Sequence, residues 1–255
     1  MLKGIDTFIT NGRLTWTMTT NGYKFYTLNL LTWLRDKAKV PWKLAVVCCD
    51  KESEGFFRRE GWPCARFDMP PRKQQIGLSP FGSEEFKVWN RAKLDILHWI
   101  ASHSNEFGIQ QSLYLDGDIV VARDPWLGYS TKGLAFQCDC SHFDEHTSQT
   151  PCKSPCTGVI FVDHTESKEI LEQLFTIDET KWKEAMEQDQ PYVTQRLEQL
   201  HIRYSILSRS QYGNGNWQRS NRWKEDDWIL LHYNYRVGDT KKQAMRKYSH
   251  WLIPY

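Results

Sequence analysis

Two carboxylates one residue apart, Asp116 and Asp118 around Gly117, follow the apolar run Leu113-Tyr114-Leu115 and precede Ile119-Val120. An apolar strand has no internal use for two such groups. In an extended chain, side chains two residues apart point to the same side, about 6.5–7 Å apart. A cation between them reaches both, directly or through water. Hard oxygen donors select Mg²⁺ or Mn²⁺, ions that complete their shell with substrate phosphates. Gly117 carries no side chain to keep a ligand from the backbone. A second set of metal-capable side chains is Cys138, Cys140, Cys152 and Cys156, with His142 and His146 nearby. Its spacing matches no common zinc module, so the sequence reads it as small buried thiols beside a loop.

The acidic pair needs elements to hold it. Ile5–Thr10 reads as a first strand ending in the turn Thr10-Asn11-Gly12. Tyr23–Lys37 carries Phe25, Leu28, Leu31 and Leu34 at helical spacing. Lys43–Cys49 and Ala65–Met69 read as buried strands, and Arg72–Gly82 as a loop. Ser83–His103 is a helical pattern with Ser83 as its cap. Ser112–Val121 is the strand that bears the acids, and Asp124-Pro125-Trp126 turns the chain after it. Gly133–Cys138, Gly158–Asp163 and Asp226–His232 read as strands, Ser167–Phe175 and Lys181–Leu200 as helices. Strands and helices alternate through the first half, which implies parallel βαβ units. The class is therefore α/β, with a mixed, mostly parallel central sheet flanked by helices. No linker interrupts it, so one domain is expected over 1–255.

Composition narrows the class of function. At 40% hydrophobic and 25% charged, the chain is an ordinary globular one. A net charge of +2 gives no reason to expect a nucleic-acid partner. Twelve tryptophans include Trp62, Trp126, Trp217 and Trp251 in turn-like or polar surroundings; such rings serve either as sugar-binding faces or as core. Seven cysteines, with Cys48 and Cys49 adjacent in an apolar run, do not form a disulfide framework and favour a reducing compartment. The start Met1-Leu2-Lys3-Gly4 has no signal-peptide pattern, and no apolar stretch approaches about 18 residues. The expectation is a soluble, cytoplasmic chain with no integral membrane segment.

With these features in order, the chain resembles the nucleotide-diphospho-sugar transferase families of GT-A fold, both the plant and algal-virus type and the glycogenin-like type. The resemblance rests on Lys93 in Asn90-Arg91-Ala92-Lys93-Leu94, then Leu113–Asp118, Asp124-Pro125, the small-residue strand Thr157-Gly158-Val159-Ile160-Phe161, the pair Asp189-Gln190, and a late His232 followed by Gly238 and Lys241. Six positions separate His232 from Gly238, where the glycogenin-like pattern has three. The resemblance implies a Rossmann-like GT-A domain with a nucleotide-binding half of about 1–125 and an acceptor-side half of about 126–255. It implies that Asp116, Asp118 and His232 hold the metal, with the imidazole favouring Mn²⁺ over Mg²⁺. Lys241 would pair with the diphosphate, Gly238 would admit it to the backbone, and Lys93 would lie near the phosphates or Asp116. Thr10 and Asn11 would face the uracil and ribose of a UDP-sugar.

The chemistry so implied is sugar transfer from the nucleotide-diphosphate donor to a glycan or glycoprotein acceptor. Charge develops on the departing β-phosphate, where a cation and a lysine stabilise it. The anomeric centre becomes oxocarbenium-like. Asp189 would orient the donor sugar and Gln190 would face the anomeric carbon. The resembled families retain anomeric configuration. Two rivals differ in class. A haloacid-dehalogenase-type phosphohydrolase also carries D-x-D after an apolar strand, but on its first strand and followed by Thr or Ser. A non-catalytic carbohydrate-binding protein of the same fold would not need the acids at 116, 118 and 189.

Overall fold

The computed structural model describes residues 2–68, 79–129, 132–140, 152, 154–165, 168–220 and 227–255. Most of the expected loop at Arg72–Gly82, and His142 and His146, lie outside the described residues. Among the described residues an eight-stranded sheet runs in the order β1-β4-β3-β2-β5-β8-β7-β9. Its strands are β1 (Leu2–Lys3), β2 (Arg13–Thr19), β3 (Leu44–Cys48), β4 (Cys64–Phe67), β5 (Gln111–Leu115), β7 (Leu134–Cys138), β8 (Pro155–Asp163) and β9 (Tyr204–Ile206). Only β1 and β8 run against the others, so the sheet is mixed and mostly parallel. A second sheet of β6 (Ile119–Val121), β10 (Tyr212–Gly213) and β11 (Leu230–His232) has β11 in its middle.

Alternation along the strands builds two cores, because successive side chains leave a sheet on opposite faces. Leu14, Trp16, Val47, Tyr114 and Ile160 pack under the long helix α3 (Glu84–Phe107) together with α4 (Lys168–Phe175) and α6 (Asp189–Gln199). Val46, Cys48, Leu113, Leu115 and Phe161 pack on the other face, against α1 (Lys24–Trp33), α2 (Lys51–Arg59) and residues of the small sheet. The remaining α-helices among the described residues are α5 (Glu179–Glu184), α7 (Gly215–Arg219) and α8 (Asp239–Lys247). Ser83 caps α3 by accepting from the Phe86 N–H, as its type and position suggested.

Three expected elements differ. The first long strand is β2, not Ile5–Thr10; Asp6–Phe8 is a 3-10 turn, and Asn11 and Gly12, both at positive φ, reverse the chain before the β-rich segment RLTWTMT. The run Ser112–Val121 is two strands in different sheets, because residues 116–118 turn between them. The helical stretch Lys181–Leu200 breaks into α5 and α6 at Met186 and Glu187, whose φ values are 54° and 56°. Pro191 requires that break: it has no N–H to donate, so it is accommodated in the first turn of a helix and not in its interior.

Candidate functional site

Asp116 and Asp118 stand where β5 ends, in a turn closed by the Ile119 N–H donating to the Asp116 carbonyl at 3.3 Å. The pair is therefore not extended, and the turn itself converges the two carboxylates. β11 brings His232 to them through its antiparallel register with β6, where His232 faces Ile119. The imidazole Nε2 lies 3.5 Å from Asp116 Oδ2 and 3.3 Å from Asp118 Oδ1. One donor atom from each of the three residues lies within 4.8 Å of the others.

The histidine is held in the orientation a ligand needs. Gln137 Nε2 donates to the Tyr212 and Gly213 carbonyls at 3.2 and 2.9 Å, which leaves Gln137 Oε1 to accept from His232 Nδ1 at 2.8 Å. With Nδ1 carrying a proton, the neutral ring presents a lone pair at Nε2 toward the acids. Two oxygens and one imidazole nitrogen form a donor set that suits a divalent cation.

Two lysines complete the charge pattern. Lys241, from α8, places Nζ 2.5 Å from Asp118 Oδ2. Lys93, from α3, places Nζ 2.5 Å from Asp189 Oδ2 and 3.5 Å from Asp116 Oδ1, and donates to the Thr157 carbonyl at 3.2 Å. Burial pushes the Asp118 carboxyl up, but Lys241 and His232 outweigh it and hold it far below the usual carboxylate range. Burial likewise works against the charged forms of Lys93, Lys241 and His232; the facing carboxylates outweigh it and raise all three. Asp116, Asp118 and Asp189 are thus faced by the Lys93 and Lys241 ammonium groups and by the His232 ring.

Asp189 and Gln190 open α6. Asp189 Oδ2 also accepts from Thr157 Oγ1 at 2.7 Å, and Gln190 Nε2 donates to Asp139 Oδ2 at 2.6 Å. Gly238, at φ +54°, precedes α8, and its carbonyl accepts from the Tyr26 hydroxyl at 3.3 Å. The longer His232-to-Gly238 interval is used by Asn234, Tyr235, Arg236 and Val237, which line the same cavity.

That cavity holds about 820 Å³ and is lined by Lys93, Asp116, Gly117, Asp118, Asp189, Gln190, His232, Gly238 and Lys241. It opens at the carboxyl ends of β2, β5 and β7, where ligands of open α/β sheets bind. Thr10 and Asn11 are elsewhere. They line a separate cavity of about 570 Å³ with Gln110, Gln111 and Asp163, at the amino end of β2. The seven residues of β2 put that end roughly 20 Å from the acids. Met18 and Thr19, at the other end of β2, and Thr20 and Tyr23, just beyond it, line the large cavity instead. The suggested tryptophans also fall outside: Trp126 and Trp217 are buried, and Trp62 and Trp251 pack at the edges of the cores. The aromatic faces on the cavity are Tyr23, Phe81, Phe86, Trp89, Tyr114 and Tyr235.

Sequence reasoning missed Tyr114, whose hydroxyl donates to Asp116 Oδ1 at 2.6 Å, and also Gln137 and Asp139. Tyr114 and Gln137 looked like strand filler, although a glutamine in a buried strand was a usable signal. Gly158, noted only as a small residue, is required by contact. A Cβ there would land on the His232 ring at Cε1 and stand 2.7 Å from Asp116 Oδ2.

The model of the nucleotide-diphospho-sugar transferase family matches residues 42–245. No curated protein sequence matches the chain. Among solved structures, a glycosyltransferase involved in glycosylation of the major capsid of PBCV-1 is similar at a TM-score of 0.53 and 12% identity, over 92% of this chain and 98% of that one. The galactosyltransferase LgtC, in complex with donor and acceptor sugar analogs, is similar at 0.55 and 12%, over 93% and 94%. The glycosyltransferase GlyE of Streptococcus pneumoniae TIGR4 is similar at 0.56 and 16%, over 94% of this chain and 61% of that one. At these identities the likeness is one of fold, and the fold is GT-A.

Proposed function

Because the chain belongs to the nucleotide-diphospho-sugar transferase family and is a glycosyltransferase, we propose that it moves a sugar from a UDP-sugar to a glycan or glycoprotein acceptor, with retention and with a divalent cation on Asp116, Asp118 and His232. The convergence of these three side chains on one wall of the cavity, with the Nε2 lone pair oriented by Gln137, supports the reading. Bound there, Mn²⁺ or Mg²⁺ would supply positive charge for the diphosphate of the donor. Mn²⁺ is preferred because an imidazole nitrogen joins the oxygens.

The remaining steps belong to side chains of this chain. Lys241 leaves Asp118 and follows the negative charge onto the diphosphate, guided by the rings of Tyr23 and Tyr26, each 5.8 Å from its ammonium. Gly238 lets the backbone approach that group. Met18, Thr19, Thr20 and Tyr23 replace Thr10 and Asn11 as the nucleoside wall. Asp189, fixed by Lys93 and Thr157, orients the donor sugar. Gln190, its amide nitrogen engaged by Asp139, turns its carbonyl oxygen to the anomeric carbon. Phe81, Phe86 and Trp89 form an apolar face for the acceptor, since sugar rings stack on aromatic surfaces.

The test is a panel of UDP-sugars and other nucleotide sugars with Mn²⁺, scored for donor hydrolysis and thermal stabilisation. A ligand at a hundred times its Kd stabilises by about 2.7 kcal/mol. Wild type should respond to UDP with Mn²⁺ and Asp118→Ala should not. Equal responses would remove the metal assignment. Among the described residues no helix is long and apolar enough to cross a membrane.

A further inference from the structure

A second cluster of metal-capable side chains lies outside the acidic site. The sulphurs of Cys138, Cys140 and Cys152 come within 4.8 Å of one another. The sheet makes this approach possible. Cys138 closes β7 opposite Pro155 of β8, and the Asp139 N–H donates to the Ser154 carbonyl at 2.8 Å, so the ladder continues and sets Cys140 beside Cys152. Their sulphurs are 2.8 Å apart, and none of the seven cysteines is in a disulfide. Cys156 is not part of the group; its sulphur lies 3.8 Å from His232 Nδ1.

The surroundings of Cys138 direct donors at its sulphur. Its sulphur accepts the backbone N–H of Cys140, two residues on, at 3.2 Å, and Arg209 Nη2 at 3.0 Å. Arg209 is fully buried, so its charge meets the sulphur with little screening. Three sulphurs cannot all ionise at this separation without a cation. A divalent ion balances the set, since three thiolates, one M²⁺ and one guanidinium sum to zero. Sulphur donors select zinc over the hard ions expected at the carboxylates.

We propose that Cys138, Cys140 and Cys152 together hold one zinc ion, a second metal centre chemically separate from the Asp116–Asp118–His232 group. Binding releases three protons to solvent and forms three Zn–S bonds, three corners of a tetrahedral shell. At about 2.3 Å per bond the sulphurs stand about 3.7 Å apart, so Cys140 and Cys152 open by about 1 Å. The ion sits behind the wall of the large cavity. Asp139, between two of the ligands, accepts from Gln190 at 2.6 Å, Asn234 at 3.1 Å and the Tyr235 hydroxyl at 2.6 Å. The zinc thus fixes the backbone that positions Gln190. Only this last consequence rests on the proposed transfer reaction; the metal site itself does not.

The test is metal analysis of the full chain purified under reductant. The expected result is one zinc per chain, released on titration with a mercurial, and a thiolate-to-cobalt charge-transfer band after replacement by Co²⁺. Asp118→Asn should keep the band, because carboxylates give none, and Cys140→Ser with Cys152→Ser should lose it. If the double variant does not fold, mercurial release and the cobalt spectrum of wild type decide. A metal-free wild type whose thiols all alkylate, a Cys140–Cys152 disulfide in its peptide map, or a band that survives the double substitution would each overturn the proposal.

Discussion

Replacing Gly158 by alanine puts one methyl group into the most crowded point of the site. The added carbon would overlap His232 Cε1, and it would stand 2.7 Å from Asp116 Oδ2 and 2.8 Å from His232 Nδ1. Ordinary contact begins near 3.4 Å, so Asp116 must give about 0.7 Å (3.4 − 2.7) and the imidazole more. The ring has little freedom to retreat. It is 3% exposed, and its Nδ1 is tied to Gln137, itself tied to two backbone carbonyls. Overpacking of this kind costs about 1–3 kcal/mol of stability. Displacing a positioned group by about 1 Å costs on the order of 100-fold in rate, and disturbing the supports of a metal ligand costs about 10–100-fold in affinity. The assay is the Mn²⁺ dependence of UDP-sugar hydrolysis, with circular dichroism to show that the variant is folded. Gly55→Ala, inside α2 and 3.3 Å from an Arg59 guanidinium nitrogen, is the control and should be neutral or stabilising by up to about 1 kcal/mol. A folded Gly158→Ala with wild-type Mn²⁺ affinity and turnover would refute the reasoning that this strand sets the spacing of His232 and Asp116.

Other perturbations test separate parts of the site. Asp118→Ala leaves the buried Lys241 ammonium without its carboxylate and should destabilise the metal-free protein by about 3–5 kcal/mol; adding Lys241→Met should restore much of that loss in urea unfolding while leaving the Mn²⁺ response absent. His164 and His250 are buried and held down to about 4 by that burial. The unfolded chain, with histidine near 6.5, binds more protons between those values, so stability should be full above pH 6.5 and fall as pH drops toward 4, by about 3 kcal/mol per histidine; urea midpoints at pH 7 and 4.5 that agree would exclude it. His232 has the opposite sign. Raised in the metal-free protein, it should give up a proton on metal binding, so apparent Mn²⁺ affinity should rise with pH, by up to tenfold per unit, in calorimetric titrations. Asp139→Asn should lower kcat by about 10–100-fold with little change in donor KM, because it frees Gln190 without touching the carboxylates at 116 and 118; a change confined to KM would place Asp139 elsewhere in the reaction.

The sequence alone carried the α/β alternation, the strands read at Lys43–Cys49, Gly133–Cys138 and Gly158–Asp163, the Ser83 cap, and the acids beyond β5, because periodicity, capping and an unexplained D-x-D are local patterns. It misassigned the first strand by following Ile5, Phe8 and Ile9, although Ile5 and Phe8 are buried without joining a ladder of the sheet. That error carried Thr10 and Asn11 to the wrong end of β2. Linear spacing could not show that His232 reaches Asp118 through a second sheet, that Gly158 is small because a histidine 74 positions later presses on it (232 − 158), or that Cys152 returns to Cys138. Each of these is set by strand register between distant segments. Register depends on how whole faces bury against one another, and no short stretch of sequence contains that information.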